Sequence, residues 1–480
     1  MKNVVYITVD SLRADHVGFN GYDRDTTPNL DSVASENITV RNCFANGPYT
    51  SFAFPPLFSS RLPLSDSNTL GIREAPDSLP EIFSDQGYAT GGFNAGNPYL
   101  TEVYGYTRGF DTFRDYLRGS ERKDSAFGKV RSVVENNELL FNIAKPINDR
   151  ARILKTRVKT LIGADKAKAE KTPPAARIDA AGREWLDRTD GPFFLWLHYM
   201  DPHTVFDPAD QYLREFTDRS IPAGRRMKLW KWMFEAQDRF TENEQNLRDL
   251  IDLYDATIRE VDASVGRVLD HLDSNDQVEE TVVVFTGDHG EEFLDHGDMG
   301  HGGYLYDTHL SVPLLLKSPE VDAHTVDSTI SHLDLPPTIL DAADVPAPSS
   351  FLGRSIWPEI LSGEYTDRGP IPLQAFRGPR TDVVEFDQGT LRIGFRTPED
   401  KYIMNFEDDL SVSDGWAELY DLSADPREHS SLAAEEGAAI ERYNEQCRSH
   451  MGTLNGIRGA TEELATSDAV EERLEDLGYK

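Results

Sequence analysis

Three short apolar runs in the chain, each about one strand long, stop abruptly in polar side chains. They are residues 4–10 (VVYITVD), 192–203 (PFFLWLHYMDPH) and 281–290 (TVVVFTGDHG). Runs rich in β-branched and aromatic residues are typical of parallel strands buried on both faces. Residues 246–273 repeat apolar positions every three or four residues, which predicts an amphipathic helix. This alternation of strands and helices predicts an α/β protein with a doubly wound sheet.

The polar residues at these strand ends are of types that bind metal ions. In chain order they are Asp10, His198, Asp201, His203, Asp288 and His289, and His301 follows in a glycine-rich turn. Ligands of open α/β sheets bind at the carboxyl ends of the strands, so three such endings indicate one shared site. A carboxylate beside an imidazole is a partial ligand set for a divalent cation. Alone, Asp10 would fit equally well as a cap of the following helix.

Residues 46–63 (NGPYTSFAFPPLFSSRLP) place two hydroxyls between a Gly-Pro turn and an apolar stretch. We predict a helix here with Thr50 and Ser51 at its N-terminus, where free backbone amides favour an anion. A hydroxyl beside a divalent metal and several histidines is suited to displacement at phosphorus or sulfur. The pattern alone leaves open an ordinary loop that leads into a structural helix.

Two segments differ in character from the rest. Residues 118–171 carry more basic than acidic side chains and contain a basic amphipathic pattern. This pattern fits either a solvated helical insertion on an acidic body, or a lid or docking surface for an anionic substrate or membrane. After about residue 365 the pattern predicts antiparallel strands, and it predicts an acidic, helical tail over residues 461–480. We therefore predict a catalytic domain (1–365) with a basic insertion (about 118–175), and a smaller C-terminal domain (366–480).

The composition limits the choice of function. The net charge is -34, from 83 acidic and 49 basic residues, and Arg well outnumbers Lys. Such a surface predicts a protein adapted to high salt, where self-repulsion is screened, although a merely acidic cytosolic enzyme has a similar composition. It disfavours nucleic acid as a partner. The two cysteines form no metal motif, and neither a signal peptide nor a membrane span is apparent, so we expect a cytoplasmic protein.

Five motifs, in this order along the chain, resemble one family. They are VVYITVDSLRADHVGFNGYDRDTTPNLDSVA, FLWLHYMDPH, VVVFTGDHGEEFLDHGDMGHGGYLYDTHLSVPLLL, SHLDLPPTILDAADVPAPSSFLGRSI and AELYDLSADPREHSSLA. Together they resemble the sulfatase-like branch of the alkaline phosphatase superfamily. The resemblance implies an α/β sandwich with a central mixed, mostly parallel sheet flanked by helices, and a smaller C-terminal α+β domain with an antiparallel sheet. It also implies hydrolysis or transfer of a sulfate or phosphate ester.

The resemblance implies a role for each candidate residue. The family's metal-binding carboxylates and imidazole match Asp10, Asp288 and His289, and its substrate-contacting histidines match His203 and His301. Aligning the end of the family's nucleophile helix with LFSSR (57–61) places Thr50 on the nucleophile, and Ser51 misses by one position. Ser51 is then a substrate-binding neighbour.

The sequence departs from the sulfatase pattern at four positions. Sulfatases convert a Cys or Ser to formylglycine under the direction of a following Pro and Arg, whereas this chain has Thr50, Phe52 and Phe54 there. Threonine cannot give that aldehyde, so formylglycine chemistry is excluded in this register. Ser11 stands where many sulfatases have a second metal-binding Asp, which predicts one metal ion: Mn²⁺, Mg²⁺, Ca²⁺ or Zn²⁺.

These residues predict a metal-dependent ester hydrolase in which Thr50, itself a metal ligand, attacks the ester in line. His203 or His301 would protonate the leaving oxygen. The expected substrate is an anionic ester, such as a sulfated or phosphorylated glycan or lipid headgroup. The alternatives are a transferase of the phosphoglycerol type, with an acceptor site and peripheral membrane contact through residues 118–171, and a catalytically inactive binding protein.

Overall fold

The three apolar runs form neighbouring parallel strands at the centre of one large sheet in the computed structural model of the chain. Its strands, in chain order with those of two smaller sheets, are β1 (Asn3–Val9), β2 (Ile38–Phe44), β3 (Ala89–Asn94), β4 (Thr112–Arg114), β5 (Phe193–Tyr199), β6 (Thr281–Gly287), β7 (Glu292–Phe293), β8 (Met299–Gly300), β9 (Ser311–Lys317), β10 (His324–Ser331), β11 (Ile371–Arg377), β12 (Thr390–Arg396), β13 (Asp400–Phe406) and β14 (Val412–Asp421). The large sheet has the order β10-β2-β9-β6-β1-β5-β3-β4, and among its described strands β9 alone runs antiparallel to its neighbours.

The described helices cover both faces of this sheet, except the last, which packs on the C-terminal strands. They are α1 (Pro28–Ala34), α2 (Thr50–Ser59), α3 (Leu79–Asp85), α4 (Ala175–Leu186), α5 (Asp210–Phe216), α6 (Ala223–Glu235), α7 (Asp238–Glu242), α8 (Glu244–Ser274), α9 (Asp307–Leu310), α10 (Leu335–Ala342), α11 (Trp357–Ser362) and α12 (Gly437–Leu454). Alternate side chains of β1 point to opposite faces, so Val4 packs with α2 and α10 whereas Val5 packs with α4 and α8. The predicted mixed, mostly parallel sheet between helices is confirmed.

The C-terminal part forms an antiparallel sheet of four strands, β11-β12-β13-β14, as predicted. Its apolar face shares one hydrophobic core with the large sheet, since Leu373 and Ile393 belong to the same buried cluster as Val40 and Leu314. The boundary at residue 365 stays a prediction.

The structure describes residues 1–66, 68–117, 175–203, 205–366, 368–378, 384, 389–406, 412–433, 437–454, 470–471 and 473. The predicted basic insertion and nearly all of the predicted acidic tail lie outside these residues. Among the helices that are described, none has the length and apolar content needed to cross a membrane.

Candidate active site

Three side chains at the carboxyl ends of β1 and β6 form a compact cluster. Ligand atoms of Asp10, Asp288 and His289 all lie within 4.8 Å of one another, and the three side chains are fully buried. The backbone ladder explains this, because the amide of Asp10 donates to Tyr199 O and that of Asp288 donates to Val9 O. His289 Nε2 is 3.6 Å from Asp10 Oδ1 and 3.7 Å from Asp288 Oδ2. The structure thus brings together three of the four residues predicted as metal ligands, and the fourth is Thr50.

The cluster has ligand atoms of the types that bind a divalent cation, and some of them lack hydrogen-bond partners among the described residues. Asp288 Oδ2 and His289 Nε2 are buried without a hydrogen-bond partner among the described residues. His289 Nδ1 lies 2.8 Å from Gly290 O, so Nδ1 carries the proton and Nε2 presents a lone pair to the carboxylates. Carboxylate oxygens with one neutral imidazole fit Mn²⁺, Mg²⁺ or Zn²⁺. The residues present therefore fit the metal that the family resemblance implies.

The pKa values of the two carboxyl groups, Asp10 and Asp288, are shifted in opposite directions. Burial acts to raise the pKa of Asp10, but the facing His203, His198 and His289 together lower it below its usual range. Burial and the charge of Asp10 raise the pKa of Asp288 well above its usual range. Two buried carboxylates at this separation repel each other, and a cation between them would relieve that repulsion.

A strained turn after β1 orients both carboxylates. Ser11 has a φ of 56°, in the left-handed region that non-glycine residues seldom adopt. Its amide donates to Asp288 Oδ1 at 3.0 Å and its hydroxyl donates to Asp10 Oδ1 at 2.9 Å, while Tyr254 Oη donates to Ser11 O at 2.7 Å. Ser11 therefore acts as a hydrogen-bond donor at the position where many sulfatases are expected to have a second carboxylate.

Thr50 begins α2, and its hydroxyl faces the cluster. Thr50 Oγ1 is 3.5 Å from Asp10 Oδ2, and Asn97 Nδ2 donates to both atoms, at 3.2 Å and 2.8 Å respectively. Because the first turn of a helix has no intrahelical acceptors for its amides, the adjoining space suits an anion. Ser51 lies in the same turn and lines the neighbouring pocket. Of the two candidate hydroxyls, Thr50 is the one that contacts the cluster.

Aromatic packing accounts for one departure from the sulfatase pattern within α2, at Phe54. Phe54 and Phe58 pack edge-on against Trp196, with ring centroids 6.0 and 4.8 Å apart, and all three rings are buried. Phe54 also meets the ring of His198 at 5.1 Å. The position that would direct formylglycine formation is therefore occupied by a core residue.

His203 and His301 lie beside the cluster, as their predicted roles require. The ring centroids of His203 and His301 are 5.0 Å apart, and those of His289 and His301 are 4.7 Å apart. His301 Nδ1 is 3.2 Å from Glu291 Oε2, and burial raises the pKa of Glu291 to about 7. A carboxyl group thus orients the ring of His301 toward the site.

The C-terminal sheet holds the loop that carries His301. Arg392 donates to Gly303 O, and Lys401 Nζ donates to Leu305 O at 3.0 Å. Lys401 and Arg396 also pair with Asp307 at the end of this loop. The described residues of the C-terminal part therefore contribute to the geometry of the site by holding this loop.

Asn97 and Glu291 were missed by the sequence analysis. Asn97 lies in the turn after β3, where Asn94 fixes it by accepting from its amide at 2.9 Å. The sequence feature that could have revealed Asn97 is a fourth strand that ends in polar side chains, FNAGN. It was overlooked because this stretch contains no Asp, Glu, His or Cys. His198 was named as a strand-end candidate, and it lies against Asp10, 3.7 Å from Nε2 to Oδ2.

Asp201, the other strand-end candidate, is occupied elsewhere. Its Oδ1 accepts from the amide of Ala175 at 3.1 Å, and its Oδ2 is buried without a partner in the described ranges. Burial, with the charge of Glu260, raises the pKa of Asp201 to about 7. Asp201 therefore supports the start of α4 rather than the metal cluster.

Replacing Asp201 with Asn should stabilise the protein above pH 7. A folded pKa near 7 exceeds the unfolded value, so the stability that this carboxyl contributes is present below about pH 4 and is lost as the pH rises to 7. Denaturant unfolding of the wild type and of Asp201→Asn at pH 8 and pH 4.5 measures this. We expect a gain above about 1.4 kcal/mol at pH 8 and a much smaller one at pH 4.5. Equal gains at both pH values would contradict the raised pKa.

An aromatic pocket opens beside Thr50 and His301. It has a volume of about 280 Å³. Its walls include Tyr99, Tyr304, Phe376 and Phe234, and Phe234 is 54% exposed at its mouth. Thr50 lines this pocket and also contacts Asp10, so the pocket adjoins the cluster.

Comparison with known proteins agrees with this geometry. The family model described as Sulfatase matches residues 2–345 of the chain. The chain belongs to the sulfatase family. A second model, described as N-sulphoglucosamine sulphohydrolase, C-terminal, matches residues 301–452 of this sulfatase-family chain.

Individual relatives are distant. The uncharacterized sulfatase YidJ of Escherichia coli is 29% identical over 51% of this chain and 48% of its own, so the chain spans about half the length of that relative. The multifunctional alkaline phosphatase superfamily protein PehA of Trinickia caryophylli is 26% identical over 90% of this chain and 91% of its own. The structure of BT4656 with D-glucosamine-2-N,6-O-disulfate has a TM-score of 0.68 at 17% identity, covering 95% of this chain and 99% of that one. The predicted superfamily is confirmed.

Proposed function

We propose that the protein is a metal-dependent hydrolase of sulfate esters that uses Thr50 as its nucleophile. The observation that carries this proposal is the Thr50 hydroxyl, at the N-terminus of α2 and 3.5 Å from Asp10 in the metal-ligand cluster. A divalent cation held by Asp10, Asp288 and His289 would neutralise charge on the ester and favour the ionised hydroxyl.

The chain's own residues account for the other steps. The Thr50 hydroxyl gives up its proton to water as Oγ1 forms a bond to the sulfur, and the bond from sulfur to the alcohol oxygen breaks. His301 or His203 gives its proton to that leaving oxygen, and water then hydrolyses the Thr50 ester. Asn97 orients the hydroxyl, because its amide nitrogen donates to both Thr50 and Asp10.

The charges at the site favour an ester with one negative charge. The groups that lower the pKa of Asp10 are the imidazoles of His203, His198 and His289. Arg13, which donates to Glu291 O, is already paired with Asp15 and Asp295. Two carboxylates and one divalent cation sum to about zero, so the protonated histidine that acts as proton donor balances one negative charge on the substrate, and a second negative charge would gain little.

This balance of charge predicts how kcat/KM ranks among aryl esters that share the same leaving group. We expect kcat/KM for 4-nitrophenyl sulfate and for a 4-nitrophenyl phosphate diester to exceed that for 4-nitrophenyl phosphate by roughly tenfold or more, since each 1.4 kcal/mol is a factor of ten. The panel is measured with added Mn²⁺ at pH 8, where the phosphate monoester is a dianion. Preference for the dianion would contradict the charge argument, and no turnover of any ester would contradict the proposed function.

The aromatic pocket supports an ester with a planar or ring-shaped alcohol part. The ring of Phe234, on α6, is exposed at the mouth of the pocket. Gly300 lies close to this ring, since a Cβ added at Gly300 would be 3.7 Å from it. The opposite wall contains Tyr304, whose hydroxyl accepts from Arg377 at 2.8 Å. The BT4656 complex holds a sulfated sugar, and sugar rings stack on aromatic side chains as aryl groups do.

Replacing Phe234 with Ala should raise KM for aryl or glycosyl esters and leave KM for methyl sulfate unchanged. Loss of one aromatic contact of about 1 kcal/mol corresponds to a roughly fivefold rise in KM. Initial rates over a range of concentrations measure this, with Phe216→Ala in α5 as a control at an aromatic residue that does not line the pocket. An unchanged KM for every ester would remove Phe234 from the substrate site.

A phosphodiesterase or headgroup transferase is the second candidate. It is favoured by the threonine itself, since its hydroxyl, like that of phosphoglycerol transferases, replaces the aldehyde of sulfatases. Product analysis with and without an acceptor alcohol separates hydrolysis from transfer. The proposed acceptor and membrane contacts fall in residues 118–171, outside the described residues. An inactive binding protein is disfavoured by the complete ligand cluster.

We also propose that the protein works in the cytoplasm of a halophile. The net charge of -34 supports this, because salt shortens the Debye length to about 3 Å at 1 M and screens repulsion among surface carboxylates. Unfolding temperatures in 0.1 M and 2 M KCl test the salt requirement.

A further inference from the structure

His198 is a fully buried imidazole at the end of β5 that none of the proposed steps uses. Its Nε2 has no hydrogen-bond partner among the described residues and lies 3.7 Å from Asp10 Oδ2, beyond hydrogen-bond distance. Its Nδ1 lies 3.0 Å from Thr8 Oγ1. A buried nitrogen aimed at a metal-ligand carboxylate is either a further ligand or a proton donor, and the tautomer of the ring distinguishes these roles.

The neighbours of His198 fix that tautomer. Trp196 Nε1, which can only donate, donates to Thr8 Oγ1 at 3.0 Å. The single hydroxyl proton of Thr8 is then free to point at Nδ1 of His198, which accepts it. The opposite assignment would leave this buried hydroxyl proton without an acceptor among the contacts of Thr8, and would point the Nε2 lone pair at the carboxylate of Asp10. Both effects are unfavourable, so Nε2 carries the proton.

We propose that His198 is a positioning residue of the metal centre, a neutral imidazole whose Nε2–H faces Asp10 Oδ2 and does not ligate the metal. Oδ2 is then surrounded by the donors His198, Asn97 and Thr50, while Oδ1 faces His289. His198 thereby favours the ionised, correctly rotated carboxylate that a cation needs. The inference rests on the metal site of the proposed function.

Metal affinity tests this role without reference to turnover. Calorimetric titration of chelator-treated protein with Mn²⁺ gives Kd for the wild type, His198→Leu and His198→Gln. We expect His198→Leu to weaken binding 10- to 100-fold, as is usual for outer partners of ligands, and His198→Gln, which keeps an N–H, to stay within a few-fold. Thr8→Val, which removes the hydroxyl, should weaken Mn²⁺ binding, whereas Thr8→Ser, which keeps it, should bind Mn²⁺ as the wild type does.

The tautomer itself is a second readout, which needs only the conservative variant His198→Gln to assign the signals. In protein with ¹⁵N-labelled histidine, we expect the His198 signals, assigned by their loss in His198→Gln, to show a protonated Nε2 that stays protonated when Zn²⁺ is added. A wild type that binds no metal would defeat the proposed function. Wild-type binding with an unchanged Kd in His198→Leu, or loss of the Nε2 proton on adding Zn²⁺, would overturn this inference alone.

Discussion

Replacing Thr50 with Ala is expected to lower kcat by roughly 10⁴-fold or more, because removal of an enzyme nucleophile leaves only the contributions of binding and electrostatics. The lost hydroxyl is the one that faces Asp10 at 3.5 Å and accepts from Asn97. Thr50→Ser, which keeps the hydroxyl without the methyl group, should retain activity within about one to two orders of magnitude, the difference reflecting looser orientation.

The same measurement needs controls on the same helix. Ser59→Ala removes a hydroxyl at the far end of α2, where it donates to Pro55 O at 2.7 Å, and should leave kcat unchanged. Ser51→Ala removes the neighbouring hydroxyl and should reduce kcat less than Thr50→Ala does. Near-normal activity of Thr50→Ala, combined with a large loss in Ser51→Ala, would show that the nucleophile is one position further along.

Trapping adds a test that does not depend on rates. A slowly hydrolysed ester should add its sulfuryl or phosphoryl group to the wild type, and peptide mass spectrometry should locate that group on Thr50. A group found on His203 or His301 would contradict the assignment of these histidines as proton donors.

The part of the site that could be predicted from the sequence is the part fixed by sheet register. Asp10, Asp288 and His289 directly follow neighbouring parallel strands, and parallel strands that pair in register bring their following residues to one place. Local sequence predicted a helix start at residues 50 and 51, and the family resemblance then chose Thr50 over Ser51.

The remainder depends on contacts between distant segments. Asn97 reaches Thr50 through a turn held by Asn94, and Phe234 reaches the pocket on α6, which no motif marked. His301 was placed by resemblance, but its loop is held by Arg392 and Lys401 from another sheet, about 90 residues along the chain. Local patterns carry no information on such pairings.

Removing the metal is expected to abolish activity and to destabilise the folded protein, and Asp288→Asn should abolish the response to metal. Loss of a cation that stabilises the transition state by several kcal/mol corresponds to a roughly 10³-fold fall in kcat. Mn²⁺ at 100 times its Kd should raise the free energy of unfolding of chelated wild-type protein by about 2.7 kcal/mol. In Asp288→Asn the same addition should change the unfolding curve very little, because one of the two ligand carboxylates is lost.

A matched control separates this effect from general loss of a buried carboxylate. Asp262, on α8, accepts from the amide of Leu30 at 2.9 Å, far along the sequence from the cluster residues. Asp262→Asn should change the stability of the chelated protein and yet keep the full gain on adding Mn²⁺. If Asp288→Asn also kept that gain, the metal would bind elsewhere, and the role of Thr50 beside this cluster would lose its basis.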